Sequence, residues 1–183
     1  MKTKLLLYSA LLLLTQCSKC KNDPAPTDPA SQLPPATQTG ANTFGCLLNG
    51  QPWTPSGNDG RANYRISYDP GYAGGSLTIR VYRYPGDMQK SQDFIIGGAP
   101  ISTTGVFAIT PNGPAGVSYL DSNLQKPCNE YYYGNTGFTS KGQIVITRLD
   151  LTQGIIAGTF SFTLHQPCCD SVKVTQGRFD KKL

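Results

Sequence analysis

Residues 142–165 read GQIVITRLDLTQGIIAGTFSFTLH. Two apolar runs flank a turn at Thr152, Gln153 and Gly154. In the second run Gly158, Phe160, Phe162 and Leu164 share one face, while Ala157, Thr159, Ser161 and Thr163 share the other. A two-residue period marks a strand with one buried face; a helix would repeat its apolar positions every three to four residues. The stretch therefore predicts an antiparallel hairpin. A closing strand follows over residues 171–181, where Val172 and Val174 share a face. Strict alternation would turn Phe179 away from them, so one extra residue must be absorbed. A bulge at Gln176-Gly177 absorbs it, with glycine expected to supply the left-handed backbone.

The same grammar extends toward the N-terminus. Residues 44–48 lead into Asn49-Gly50, a primed hairpin turn, and residues 51–54 return from it. Residues 64–68 and 76–84 alternate, and Asp69-Pro70-Gly71 separates them. Shorter candidates lie at 93–96, 105–110 and 117–120. No helical period appears in this region. The spacing predicts an all-β domain over residues 43–183, an antiparallel β-sandwich with a calycin-like β-barrel as the alternative.

Composition agrees. Glutamate occurs once, at Glu130, and helix formers are scarce beside Thr, Val, Tyr and Gly. The formal charge of +5 falls to +3 without Lys2 and Lys4, and no basic run stands out, which argues against a nucleic-acid partner.

The N-terminus has a separate logic. Lys2 and Lys4 precede ten apolar residues at 5–14, the pattern of a secretory signal. Ten helical residues span about 15 Å, too few for a bilayer core of about 30 Å. Leu14-Thr15-Gln16-Cys17 resembles the bacterial lipobox, with Gln16 a departure from the small residue usual before the cysteine. The resemblance implies that residues 1–16 are a lipoprotein signal peptide. It also implies that Cys17 carries the lipid and joins the chain to a membrane, with the outer membrane of the cell envelope expected. Residues 17–42 contain five prolines, one leucine and no aromatic residue. That composition predicts a disordered Pro-rich tether, because so little apolar surface cannot offset the entropy of ordering.

Several segments call up a family. NTFGCLLNGQPW (42–53), ITRLD (146–150), IIAGTFSF (155–162) and VTQGRFD (174–180) are similar to parts of a lipoprotein domain of unknown function from Bacteroidota. The resemblance covers both ends of the domain and not its middle. It implies a secreted or anchored β-protein and brings no catalytic residue, cofactor or metal.

With Cys17 lipidated, Cys20, Cys46, Cys128, Cys168 and Cys169 remain, and an envelope address permits disulfides. One bridge is expected from Cys128 to Cys168 or Cys169. His165 is the single histidine, no G-x-S-x-G occurs and the domain lacks C-x-x-C, so neither nucleophilic catalysis nor a metal site is indicated. Most of the acids flank turn residues, as in Asp59-Gly60. The candidate recognition surface is Arg80, Tyr82 and Tyr84 on one strand face, which Arg65 could join, with Tyr131, Tyr132 and Tyr133 in a loop. The expected function is a lipid-anchored envelope domain that binds a glycan or protein ligand or plays a structural part. The alternatives are a secreted hydrolase-like enzyme and a glycan- or nutrient-binding surface lipoprotein.

Overall fold

A computed structural model describes residues 28–84 and 90–183; the signal-like run, Cys17 and Cys20 lie outside the described residues. The described chain is all-β. Its strands are β1 (Thr43–Leu48), β2 (Gln51–Trp53), β3 (Tyr64–Asp69), β4 (Ser76–Arg83), β5 (Gln92–Gly98), β6 (Gly105–Ile109), β7 (Ala115–Asp121), β8 (Glu130–Tyr131), β9 (Thr139–Asp150), β10 (Ile155–His165) and β11 (Val172–Lys182). They form one sheet in the order β2-β1-β11-β10-β9-β6-β7-β5-β4-β3, with β8 on β7. All pairings are antiparallel except a single parallel contact of β6 with β7. Sandwich and barrel thus meet in one strongly curled sheet, a half-barrel. Its two ends approach where Ser56 bridges Arg83.

The curl places the inward residues of opposite walls against one another. Phe94 on β5 meets Trp53 at 5.0 Å and Phe162 on β10 at 6.0 Å, both edge-on. Phe160 stacks on Phe44 at 5.2 Å. Ile79, Ile96, Ile109, Ile144 and Ile156 fill the space between and are fully buried. Each such side chain contributes about 1.5–3 kcal/mol by leaving water. The Asn49-Gly50 turn has both residues at positive φ, 49° and 81°, as a primed turn requires.

The bulge in β11 lies where expected. Phe160 pairs with Gly177 and Phe162 with Val174, so Thr175 and Gln176 together oppose Ser161. Val172, Val174 and Phe179 are all buried. The left-handed residue, however, is Gln176 (φ 52°) and not Gly177. Glycine is required at 177 for another reason. A Cβ there would stand 2.6 Å from Phe160 Cζ and closer still to its Cε2 and Cδ2.

Residues 28–42 correct the expectation of a tether disordered as far as Asn42. Asp28 caps a 3₁₀ turn (Pro29–Gln32), and Leu33 is buried. Pro34 lies against Gly45, where a Cβ would come within 2.7 Å of its Cδ. The chain then wraps the fully buried carboxylate of Asp180. Thr37 Oγ1 donates to it at 2.7 Å, and the N–H groups of Thr39, Gly40 and Ala41 donate at 2.9, 2.8 and 3.1 Å. Backbone donors converging on one buried anion order this arm, so it needs little apolar burial.

Candidate functional site

The outer face of β4, β5 and β7 is built from alternate residues of each strand, read off in cross-strand rows. Thr78, Gly97 and Gly116 form one row; Arg80, Ile95 and Ser118 form the next; Tyr82, Asp93 and Leu120 form the third, which Glu130 of β8 extends. The first row has almost no side chains. At Gly97 a Cβ would strike the Leu77 carbonyl, whereas at Gly116 it would meet nothing within 4 Å. The face is therefore sunken along Gly97 and Gly116.

Tyr132 and Tyr133 stand beside this depression, 43% and 75% exposed. Two hollows of about 460 and 380 Å³ share Ile95, Ser118 and Tyr132 as lining, and Tyr133 closes the second. Together they make one trough with bare backbone in its floor and phenol rings on its wall. Asp93 lies at one end. Burial pushes its carboxyl above the ordinary range, against the Ser91 hydroxyl bonded to it at 2.5 Å.

The loop that carries the rings is fastened on both sides. Cys128 is bonded to Cys169, with Cα atoms 5.4 Å apart. Tyr131 turns inward beside Tyr119, and its hydroxyl donates to the Asp170 carbonyl at 2.6 Å. Asn135 donates to the Glu130 carbonyl and, at 2.7 Å, to Gln166 Oε1. Of the two pairings expected for Cys128, the structure holds Cys169 and leaves Cys168 free and exposed.

The expected recognition surface therefore divides. Arg80, Tyr132 and Tyr133 belong to the trough face. Tyr131 is a core residue at 1% exposure, turned inward where β8 pairs with β7, while Tyr132 and Tyr133 follow the end of β8 and stay exposed. Tyr82 points outward but is covered by the segment between β2 and β3. Its hydroxyl contacts Asp59 Oδ1 at 2.9 Å and the Arg61 carbonyl. The Arg61 guanidinium and then that hydroxyl hold Asp59 down at about 2. Tyr84 packs edge-on against Tyr82 at 5.6 Å, so this pair forms a separate cluster. Ile95, Asp93, Ser118 and the two glycines were not anticipated. The period-two alternation of residues 93–97 does turn Ile95 away from Phe94 and Ile96, but only the pairing of β5 with β7 brings it to Ser118.

Other chemistry-bearing groups stay apart from the trough. His165 Nδ1 lies 3.4 Å from Ser171 Oγ on an exposed strand end. Cys46 is sealed in the core, where burial pushes its thiol up to about 12 despite Arg83. A further hollow of about 470 Å³, where the arm crosses β1 and β3, is lined by amides and by Leu33, Phe44 and Tyr64, with no charged group. No three His, Cys, Asp or Glu side chains gather among the described residues. No family model, curated protein or solved structure matches the chain.

Proposed function

We propose that this chain is a lipid-anchored cell-envelope domain that acts by binding, with the trough beside Tyr132 and Tyr133 as its recognition face. One observation carries the binding half. Two exposed rings are held beside a floor that is bare backbone at Gly97 and Gly116 by a loop fastened at Cys128, Tyr131 and Asn135. A rigid aromatic wall loses little conformational freedom when a ligand settles on it. The anchoring half rests on Leu14-Thr15-Gln16-Cys17 after an apolar run too short to span a bilayer. The resemblance to lipoprotein domains of Bacteroidota points the same way and favours the outer membrane.

The two halves separate in one experiment on the full chain expressed in a bacterium. Metabolic labelling with a palmitate analogue and detergent partitioning read the anchor. Cys17→Ser is expected to lose label and leave the detergent phase, while Cys20→Ser keeps both; a Cys17→Ser chain that still partitions with lipid removes the anchor. Retention of purified protein on envelope polysaccharide and protein fractions reads the face. Tyr132→Ala with Tyr133→Ala is expected to abolish retention, and unchanged retention on every fraction removes the trough as the binding face.

A further inference from the structure

Arg65 on β3 and Arg80 on β4 are direct cross-strand partners. Both are exposed. The ion pairs of the described residues are Arg61–Asp59 and Arg148–Asp150, so neither arginine of the opposed pair has an acid partner there. Like charges directly opposite one another weaken a sheet. An anion between the two guanidinium groups would reverse the sign of that contact, and a carboxylate matches their planar donors.

The same cross-strand row runs on into the trough. Arg80 is opposite Ile95, and Ile95 is opposite Ser118. Tyr132 lines the hollow over those two. At about 4.8 Å per strand the row measures about 14 Å from Arg65 to Ser118. One end thus offers two cations, and the other offers a phenol face with a hydroxyl beside it. A pyranose presents an apolar C–H face to an aromatic ring and its hydroxyls to groups such as Ser118. The remaining charges set a direction. Asp93 and Glu130 flank Leu120 in the neighbouring row; they accept hydroxyl donors and repel acids, which keeps an anionic group on the β3–β4 side.

We infer that the trough takes an acidic oligosaccharide laid across the strands, with a uronate carboxylate bridging Arg65 and Arg80 and the adjoining ring stacked on Tyr132. This rests on the trough being the binding face proposed above.

The test is calorimetric titration of the full chain in detergent with oligogalacturonate, a neutral gluco-oligosaccharide and polyglutamate. Oligogalacturonate is expected to bind, and the other two to bind far more weakly. Arg80→Gln and Tyr132→Ala should each weaken it by about tenfold or more. Gly116→Leu, which fills open space in the floor, should weaken it as well. Lys141→Gln with Lys173→Gln, which removes twice the charge of Arg80→Gln but from other strands, should leave it unchanged. Matching melting curves show that each variant is folded. Added salt should flatten the difference between wild type and Arg80→Gln, since screening acts on the charged contact. A neutral oligosaccharide that binds as tightly, insensitive to Arg80→Gln but sensitive to Tyr132→Ala, overturns the acidic ligand and leaves the face standing. Polyglutamate binding as tightly, with Tyr132→Ala harmless, reduces the site to bulk charge and overturns the inference. No oligogalacturonate binding overturns it too, and binding unmoved by all three trough variants overturns the face as well.

Discussion

Gly177 lies beneath the ring of Phe160, its cross-strand partner, so close that the ring occupies the place a Cβ would take. The ring has nowhere to retreat, because it is buried and stacked on Phe44 and Phe162. Gly177→Ala is therefore expected to destabilise the domain by about 1–3 kcal/mol through overpacking. Gly116→Ala, which enters open space, should change stability by less than about 0.5 kcal/mol. Gly142 is no tolerant control despite lying near a strand start, since a Cβ there would stand 2.6 Å from Phe162 Cβ and press on the Ser161 carbonyl. Denaturant melts check the pair. Phe160→Leu should recover part of the loss in the Gly177→Ala background, and strict additivity of the two would remove the ring as the cause.

Asp180 should govern the arm. Burial pushes its carboxyl up, but the hydroxyl of Thr37 and the N–H groups of Ala41, Thr39 and Gly40 outweigh burial and leave it below the ordinary range. A carboxyl depressed in the folded state contributes stability that is complete above the unfolded pKa of about 3.9 and is lost as pH falls through the folded value. The arm should accordingly hold at neutral pH and loosen only below about pH 4. Asp180→Asn should loosen it at every pH, by about 1–3 kcal/mol, because a neutral amide accepts these bonds more weakly and offers one oxygen for two. Hydrogen exchange at Thr39, Gly40 and Ala41 reads this directly. Unchanged protection of those amides in the variant would show that the arm is held by something else.

Gln92 ties together Trp53, Arg83 and Asp121. Its Oε1 accepts from Trp53 Nε1 at 3.1 Å and from Arg83 Nε at 2.7 Å, while its Nε2 donates to Asp121. Asp121 is buried, and Arg83 lies over the Trp53 ring at 5.3 Å. Gln92→Leu keeps the volume and removes all three bonds. A loss of about 1–3 kcal/mol is expected, chiefly from the buried Trp53 N–H left without a partner, since Asp121 keeps Tyr119 and Asn123 and Arg83 keeps the Pro52 carbonyl. A melting midpoint equal to wild type would mean that the network contributes nothing net.

The disulfide should matter for the trough more than for the sheet. Cys128 and Cys169 are 41 residues apart, a separation worth about 4 kcal/mol in the chain-entropy model. Cys169→Ser should lower stability by up to that amount and speed hydrogen exchange in the loop of Tyr132 and Tyr133. Cys168→Ser should do neither. A reversal of the two variants would reassign the bridge.

The strands were legible because their apolar residues repeat in register with the chain itself. β10 runs over Ile155–His165, the limits its alternation suggests, and Asn49-Gly50 turns as the dipeptide demands. The arm was not legible. Its composition speaks only of missing apolar surface, while the carboxylate that orders it lies about 140 residues away. The trough escaped for a related reason. Alternation tells which residues face outward, but not that β5 lies beside β7 while β6 passes to β9. Three consecutive tyrosines looked alike in sequence; β8 ends at Tyr131, which pairs into the core, and the chain leaves the sheet before Tyr132 and Tyr133.

A body held from its N-terminal side swings about the last bond that is not pinned to it. A chain loose as far as Asn42 would put that pivot at the edge of β1. The cradle around Asp180, with the buried Leu33 and the seat of Pro34 on Gly45, moves it ahead of Leu33, so arm and sheet turn as one lever. The bearing of Tyr132 from the pivot is then fixed by the fold rather than by thermal wandering of a coil. Releasing Asp180 would free that bearing and make the arm itself part of the slack.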